Sequence, residues 1–394
     1  MEKTICRGFK TAGVVSGLKK NNEKDLGLIF SQVPATVAGV FTKNYVQAAP
    51  VRLDRERIKS GSCQAIIVNS GNANCCTGSE GMPAAVSMAS LVAAELGISE
   101  DLVLVASTGV IGEPLPTDKI AAAVPNLVQS LQAGDVSDFA GAIMTTDTVP
   151  KVVSQQGRIE DKTFTITGIA KGSGMIHPDM ATMLCFIFTD IEISADMLPD
   201  TLYKAVERSF NRITIDGDTS TNDTVLIMAN GQSQAGISNP AQQQYFQGLL
   251  DDICLQLAKM IVKDGEGATK LVEIHVKGAL SSSDAHLIAN TVAASNLVKT
   301  ALFGEDANWG RILGAIGRAS VPINPDSIDI FFNDIQMVKA GMGCGQDAEA
   351  EATKVLKTPE FTISVDLHLG NESSTVFTCD FSLDYVRINA DYRS

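Results

Sequence analysis

Short apolar segments separated by turn-forming clusters run the length of this chain. Leu26 to Phe30, Thr36 to Phe41 and Gln64 to Asn69 are rich in β-branched and aromatic residues and predict strands. A helix follows, with Pro83 in its first turn, Val86, Ala89, Ala93 and Leu96 on one face, and Gly97 as its stop. Leu102 to Ala106 reads as a strand that delivers Ser107-Thr-Gly-Val-Ile-Gly112 into a turn. Two helical patterns around 117 to 143 precede an alternating strand, Thr163 to Ile169, and a continuously apolar one, Met183 to Phe188. Beyond these the pattern predicts a helix over Asp196 to Phe210 and a strand over Thr224 to Met228. A long helix starts at Asn239-Pro240, carries Tyr245, Leu249, Ile253, Leu257 and Met260, and ends at Asp264-Gly265. The strand Leu271 to Val276 leads to one helix from about Asp284 to Phe303, with Ile288, Val292, Ser295, Val298 and Leu302 on a face. Phe361 to Leu369 alternates strictly, and two more strands are expected near Val376 to Phe381 and Leu383 to Ile388. Strands alternating with helices, closed by antiparallel candidates, predict an α/β (α+β mixed) fold of mixed β-sheets covered by helices. No internal repeat, low-complexity tract or interdomain linker interrupts the pattern.

Composition narrows the classes. A chain of 394 residues with 45% hydrophobic and 19% charged residues is globular and buries a large core. Its net charge of -14 argues against a nucleic-acid surface, because phosphate contacts need clustered Lys and Arg. Met1-Glu-Lys-Thr-Ile-Cys-Arg7 mixes charges and leads into no long apolar run, so neither a signal peptide nor a membrane anchor is expected, and a cytoplasmic location is. The 8 cysteines form no C-x-x-C pair and the 4 histidines no H-x-x-x-H pair, which favours reduced thiols over a disulfide frame and gives no metal or cofactor site.

Candidate chemistry gathers at Lys171-Gly-Ser-Gly-Met-Ile-His-Pro-Asp-Met-Ala-Thr-Met-Leu184, where a loosened loop runs into the apolar strand. Lys171-Gly-Ser-Gly174 is no phosphate loop: it lacks the G-x-x-x-x-G-K spacing and precedes a strand instead of a helix. His177 and Asp179, two apart across a proline, read as separate solvent-facing groups. Thr182 after Ala181 has a distinct potential. Breaking the bond between them would free an α-amino group, of ordinary pKa about 7.7 to 8.0, on the same residue as a hydroxyl nucleophile. The hydroxyl itself can do the cutting, by attacking the uncrowded Ala181 carbonyl to give an ester that water hydrolyses. A structural threonine at a strand's edge is the competing reading. Ser107 to Gly112 is either an ordinary turn or a pair of donors, hydroxyl and backbone N–H, aimed at one point. Met144-Thr-Thr-Asp-Thr-Val-Pro-Lys151 is either a capped helix end or the wall of a polar pocket. Trp309 reads as cover for a core edge.

Lys171 to Leu184 resembles the self-cleavage segment of the ornithine acetyltransferase family, the glutamate N-acetyltransferases of arginine biosynthesis. Thr42-Lys-Asn44, Asn69 to Asn74, Ser107 to Gly112, Thr145 to Lys151, Asp264 to Lys270, Asp306 to Arg311 and Asn389 to Ser394 resemble further segments of that family, in its order. The resemblance implies an autoprocessed fold of N-terminal-nucleophile type, cut into an alpha chain, 1–181, and a beta chain, 182–394, assembled as a heterotetramer of two alpha and two beta chains. It implies that Thr182 takes the acetyl group of N-acetylornithine and passes it to glutamate, with Thr108 and Gly109 as oxyanion hole. Thr145, Lys171, Thr182, Glu266, Asn389 and Ser394 would hold the substrate, and no cofactor is called for. Some members also acetylate glutamate from acetyl-CoA, and that is the expectation here. Asp179 stands where Asn is expected, and Ser394 where Thr is common. Two alternatives remain: a self-cleaving aminopeptidase of related fold, and a non-catalytic amino-acid-binding protein.

Overall fold

Residues 6–177 and 183–391 are described by the structure, a computed structural model. Two mixed sheets organise them. The first has eight strands, in the order Val103–Val110, Ser62–Asn72, Leu26–Phe41, Thr224–Ala229, Leu184–Thr189, Lys162–Lys171 and Lys151–Ile159, with Phe9–Val14 also on Leu26–Phe41. Two neighbouring pairs are parallel: Ser62–Asn72 with Val103–Val110, and Leu184–Thr189 with Thr224–Ala229. Helices cover both faces. On one lie Leu198–Glu207 and the long Pro240–Lys263, which contributes Phe246, Leu250, Ile253 and Leu257. On the other lies Ser137–Ile143, whose Phe139 packs against Phe186, while Gly81–Leu96 and Thr117–Gln129 pack against Leu28, Ile67 and Val105, opposite Ser137–Ile143. A strand covered on both faces has no wet side, which is why Leu184–Thr189 is buried at every position.

The second sheet has seven strands, in the order Met342–Gly343, Ile335–Lys339, Asp329–Phe332, Glu360–Asp366, Leu271–Ala279, Glu372–Cys379 and Ile213–Thr214. Helices Ser282–Ala293, Trp309–Gly317 and Gln346–Leu356 pack on one of its faces. Glu360–Asp366 therefore alternates buried with half-exposed positions, as its sequence predicts. The two layers meet where Phe377 and Cys379 of the second sheet enter the core beneath Pro240–Lys263.

Several elements differ from the expectations. The two early segments are one strand, Leu26–Phe41, with an irregularity between Phe30 and Ala35 that lets it pair with two neighbours in succession. Ser107 to Val110 continue the strand Val103–Val110 and do not begin a turn. In Pro240–Lys263 Ile253 and Leu257 are buried as expected and Leu249 and Met260 pack half-buried against the same core, while Phe246 and Leu250 join the buried stripe and Tyr245 is exposed. The single helix over 284–303 is two, Ser282–Ala293 and Asn296–Phe303, broken at Ala294-Ser295; Lys299 of the second is buried and donates to Thr378 Oγ1 at 2.9 Å. The last expected strand, Leu383 to Ile388, is the helix Leu383–Asp391, which carries an Asp384–Arg387 ion pair one turn apart.

Candidate functional site

The first sheet ends in a cleft. Thr108 and Gly109 sit at the end of Val103–Val110, beside Asn69 to Asn72. Gly109 has φ +130°, and a Cβ there would lie 2.4 Å from the Gly71 carbonyl carbon, so only glycine allows the two strand ends to approach this closely. Buried amides fix the corner. Asn69 Nδ2 donates to Asn72 O at 2.8 Å, and Asn222 Nδ2 donates to Ala73 O at 2.7 Å and Ser107 O at 2.8 Å. An open cleft lies beside this corner. Thr108, Gly109, Thr145, Lys171, Glu266 and Asn389 all line it, together with Thr146, Gly174, Met175 and Asn222.

Lys171, the last residue of its strand, is buried rather than solvated. Its Nζ donates to Thr145 Oγ1 at 2.7 Å and to Thr108 Oγ1 at 3.4 Å. An ammonium has donors only, so both hydroxyls accept from it and keep their own protons for other partners. Asp147 lies 3.9 Å from Lys171, yet that carboxylate is already shared: it accepts from Lys151 Nζ at 2.7 Å and from Gly172 N at 2.7 Å. Lys151 in turn bonds Asp264 at 2.5 Å. Burial pushes the Lys171 ammonium below its usual range, with Asp147 opposing and Lys151 adding to the effect. Burial also works to raise Asp147, but Lys171, Lys151 and the Gly172 N–H outweigh it and hold that carboxyl at about 2. Lys171 is thus a desolvated cation with an incomplete counter-charge, facing open space. It suits a ligand carboxylate.

Glu266 supplies the opposite sign. Its backbone N donates to Ser173 O at 2.7 Å, and its carboxylate lies so close to Gly174 that a Cβ there would come within 2.5 Å of it. Asn389 Nδ2 donates to Glu266 Oε2 at 2.8 Å. Among the described residues no Lys or Arg forms an ion pair with Glu266. Asn389 arrives on the helix Leu383–Asp391, whose start is fixed by Ser382 Oγ donating to Gly267 O at 2.6 Å. Tyr385 of the same helix donates to Asp216 Oδ2 at 3.4 Å. That carboxylate also holds the loop leading to the expected cleavage bond, accepting from Met175 N at 2.5 Å and Ile176 N at 2.8 Å while Met175 sits at φ 58°.

Ala181, Thr182, Asp179 and Ser394 lie outside the described residues. The chain resumes at Met183, whose N donates to Asp223 Oδ1 at 3.1 Å. Pattern reading missed Asp223, Asp216, Asn222 and the Asp147–Lys151–Asp264 cluster. Isolated polar residues in loops carry no periodic signal, and only the Met144 to Lys151 segment is a candidate pocket wall in the sequence. That choice resolves to the pocket wall for Thr145 and Thr146. Among the described residues no group of three or more His, Cys, Asp or Glu could hold a metal, and no helix is long and apolar enough to cross a membrane.

Known proteins share this chain from end to end. The ArgJ family model matches residues 10–394. The arginine biosynthesis bifunctional protein of Geobacter sulfurreducens is 52% identical, covering 98% of this chain and 99% of its own. That of Geobacillus kaustophilus is 47% identical over 98% of this chain and 95% of its own. A crystal structure of the Bacillus halodurans protein of the same name is 43% identical with a TM-score of 0.50, and matches 52% of this chain and 98% of the solved chain. With a family model matched over residues 10–394 and relatives about half identical across 98% of its length, the chain belongs to the ArgJ family.

Proposed function

We propose that the chain is an acetyltransferase of arginine biosynthesis that moves the acetyl group of N-acetylornithine to glutamate through an ester on Thr182. One observation carries the reading: Thr108, Gly109, Thr145, Lys171, Glu266 and Asn389, far apart in sequence, line one cleft with a cation and an anion in its walls. An amino acid needs both. Lys171 pairs with the α-carboxylate of the substrate, and Glu266, oriented by Asn389, pairs with an ammonium. Ser394 contributes a hydroxyl to the substrate, and Thr145 holds Lys171 in place.

The catalytic cycle follows from these positions. Self-cleavage between Ala181 and Thr182 gives chains 1–181 and 182–394, and the freed α-amino group of Thr182 takes the proton of its own hydroxyl. Thr182 Oγ attacks the acetyl carbonyl, and the oxyanion is held by the Thr108 hydroxyl and the Gly109 N–H. Because Thr108 Oγ1 accepts from Lys171, its proton is free to point at that oxyanion. Ornithine leaves with the proton, glutamate enters the same site, and its amine takes the acetyl group from the ester. Glutamate and ornithine share an α-carboxylate, so Lys171 holds both, while Glu266 pairs with the side-chain ammonium of ornithine and leaves the α-amine of glutamate free to attack. The solved relative's chain, matched by about half of this one, is of the length such a processing product would have.

The curated relatives carry the word bifunctional in their names, and we extend it to this chain: acetyl-CoA loads the same threonine. The chain assembles as two alpha and two beta chains. Acceptor dependence tests the main reading. N-acetylornithine consumption should require glutamate and yield N-acetylglutamate; acetate release without glutamate would support a hydrolase instead. N-acetylglutamate formed with acetyl-CoA as sole donor is the expected second activity, and its absence would restrict the enzyme to recycling.

A further inference from the structure

Asp223 is the buried acid that the cycle above leaves unused. It directly precedes the strand Thr224–Ala229, which runs parallel to Leu184–Thr189, and Thr224 N donates to Met183 O at 3.2 Å. The side chain faces the same residue: Oδ1 accepts the Met183 N–H at 3.1 Å. Two bonds from adjacent positions thus fix the first residue after Thr182. Oδ2 is fully buried and has no hydrogen-bond partner among the described residues. The hydroxyls of Ser220 and Thr42 face the carboxyl without completing a bond to Oδ2, and Thr42 Oγ1 instead donates to Ser220 O at 2.7 Å. An orphaned carboxyl oxygen in a folded interior costs about 1 to 3 kcal/mol and calls for a reason.

We propose that Asp223 is the general acid of self-cleavage, handing the proton on its carboxyl to the Thr182 nitrogen as the Ala181–Thr182 bond breaks. The proposal rests on the cleavage reading above and deepens it. The Asp223 carboxyl is held by the N–H of Met183, the residue covalently next after Thr182. Burial raises the Asp223 carboxyl well above its usual range, against the Met183 N–H, Ser220, Thr42 and Lys171, a shift toward the acid form that donation requires. Thr182 Oγ forms the bond to the Ala181 carbonyl carbon while its proton passes to the carbonyl oxygen. The carbon–nitrogen bond then breaks, its electron pair stays on nitrogen, and nitrogen takes the Asp223 proton. As the carbonyl re-forms, the oxygen's proton returns to Asp223, and water hydrolyses the ester to the Ala181 carboxylate and a free Thr182 hydroxyl. An amide nitrogen is a poor leaving group unless it is protonated, which is the difficulty this acid removes.

Asp223→Asn keeps the shape and the Met183 contact while losing the proton. The full chain, wild type and variant, is synthesised in a cell-free reaction and sampled over time by denaturing electrophoresis, with Thr182→Ala as an uncut, folded standard. We expect Asp223→Asn to melt at the temperature of Thr182→Ala and to cut at least ten-fold more slowly than wild type. Cleavage at the wild-type rate would overturn the proposal, and so would an uncut variant melting well below Thr182→Ala, since that result assigns Asp223 a structural role alone. A wild-type chain that never cuts would defeat the cleavage reading itself, a separate outcome.

Discussion

At the scale of single residues, the site is a problem of uncompensated charge. Lys171 is buried with Asp147 3.9 Å away, and Asp147 is committed more closely to Lys151. Burying an ammonium on such terms is unfavourable, and a ligand carboxylate at Lys171 completes the pair. Lys171→Met keeps the aliphatic stem and removes the charge. It should lower kcat/KM for N-acetylornithine by ten- to a hundred-fold, as expected for a charged hydrogen bond of about 1.5 to 3 kcal/mol, and unchanged kinetics would remove Lys171 from the binding site. Gly109→Ala should be worse for chemistry than for binding. Its Cβ would lie 2.4 Å from the Gly71 carbonyl carbon, so the backbone bearing the proposed oxyanion donor must move. We expect kcat to fall about a hundred-fold with little change in KM, measured by acetyl transfer; a variant of normal kcat would place the oxyanion elsewhere.

At the scale of elements, loops are pinned to one another by half-buried carboxylates. Asp264 ties the end of Pro240–Lys263 to the Thr145–Lys151 segment through Lys151, and Asp216 ties the Met175 loop to the helix Leu383–Asp391. The Asp147 carboxyl is held at about 2, below the ordinary value of about 3.9. A depressed carboxyl pKa stabilises the fold above the unfolded value, and that contribution is lost as pH falls through the folded one. Asp147→Asn should therefore melt lower than wild type near neutrality yet lose less between pH 4 and pH 2; parallel melting curves across that window would contradict the assignment. The elements themselves were legible where packing is periodic. Leu184–Thr189 and Glu360–Asp366 announce a two-sided and a one-sided strand in their residues alone. Leu383 to Ile388 did not, because six residues with four apolar or aromatic positions fit a strand and a helix equally. Asp223 and Asn222 were illegible for another reason: their roles depend on partners 40 and 149 residues away.

At the scale of the whole molecule, the proposed cut does not divide the fold. Leu26–Phe41 pairs with Thr224–Ala229 through six residue pairs, and Lys162–Lys171 pairs with Leu184–Thr189 through six more, so the first sheet is woven from both products. The cleft is as well: Thr108, Gly109, Thr145 and Lys171 come from one product, and Glu266 and Asn389 from the other. The two chains should therefore elute together and melt in one transition, and separation without denaturant would be incompatible with the shared sheet. Family membership was readable from motif order in the sequence, whereas the electrostatics that join those motifs needed the folded chain. The central claim is that Thr182, freed by cleavage, carries the acetyl group. It is tested most directly by intact-mass spectrometry of the denatured protein after mixing with N-acetylornithine. The account predicts two chains, the second beginning at Thr182 and heavier by one acetyl group that glutamate removes; a single uncut chain with no acetyl adduct in active enzyme would contradict it.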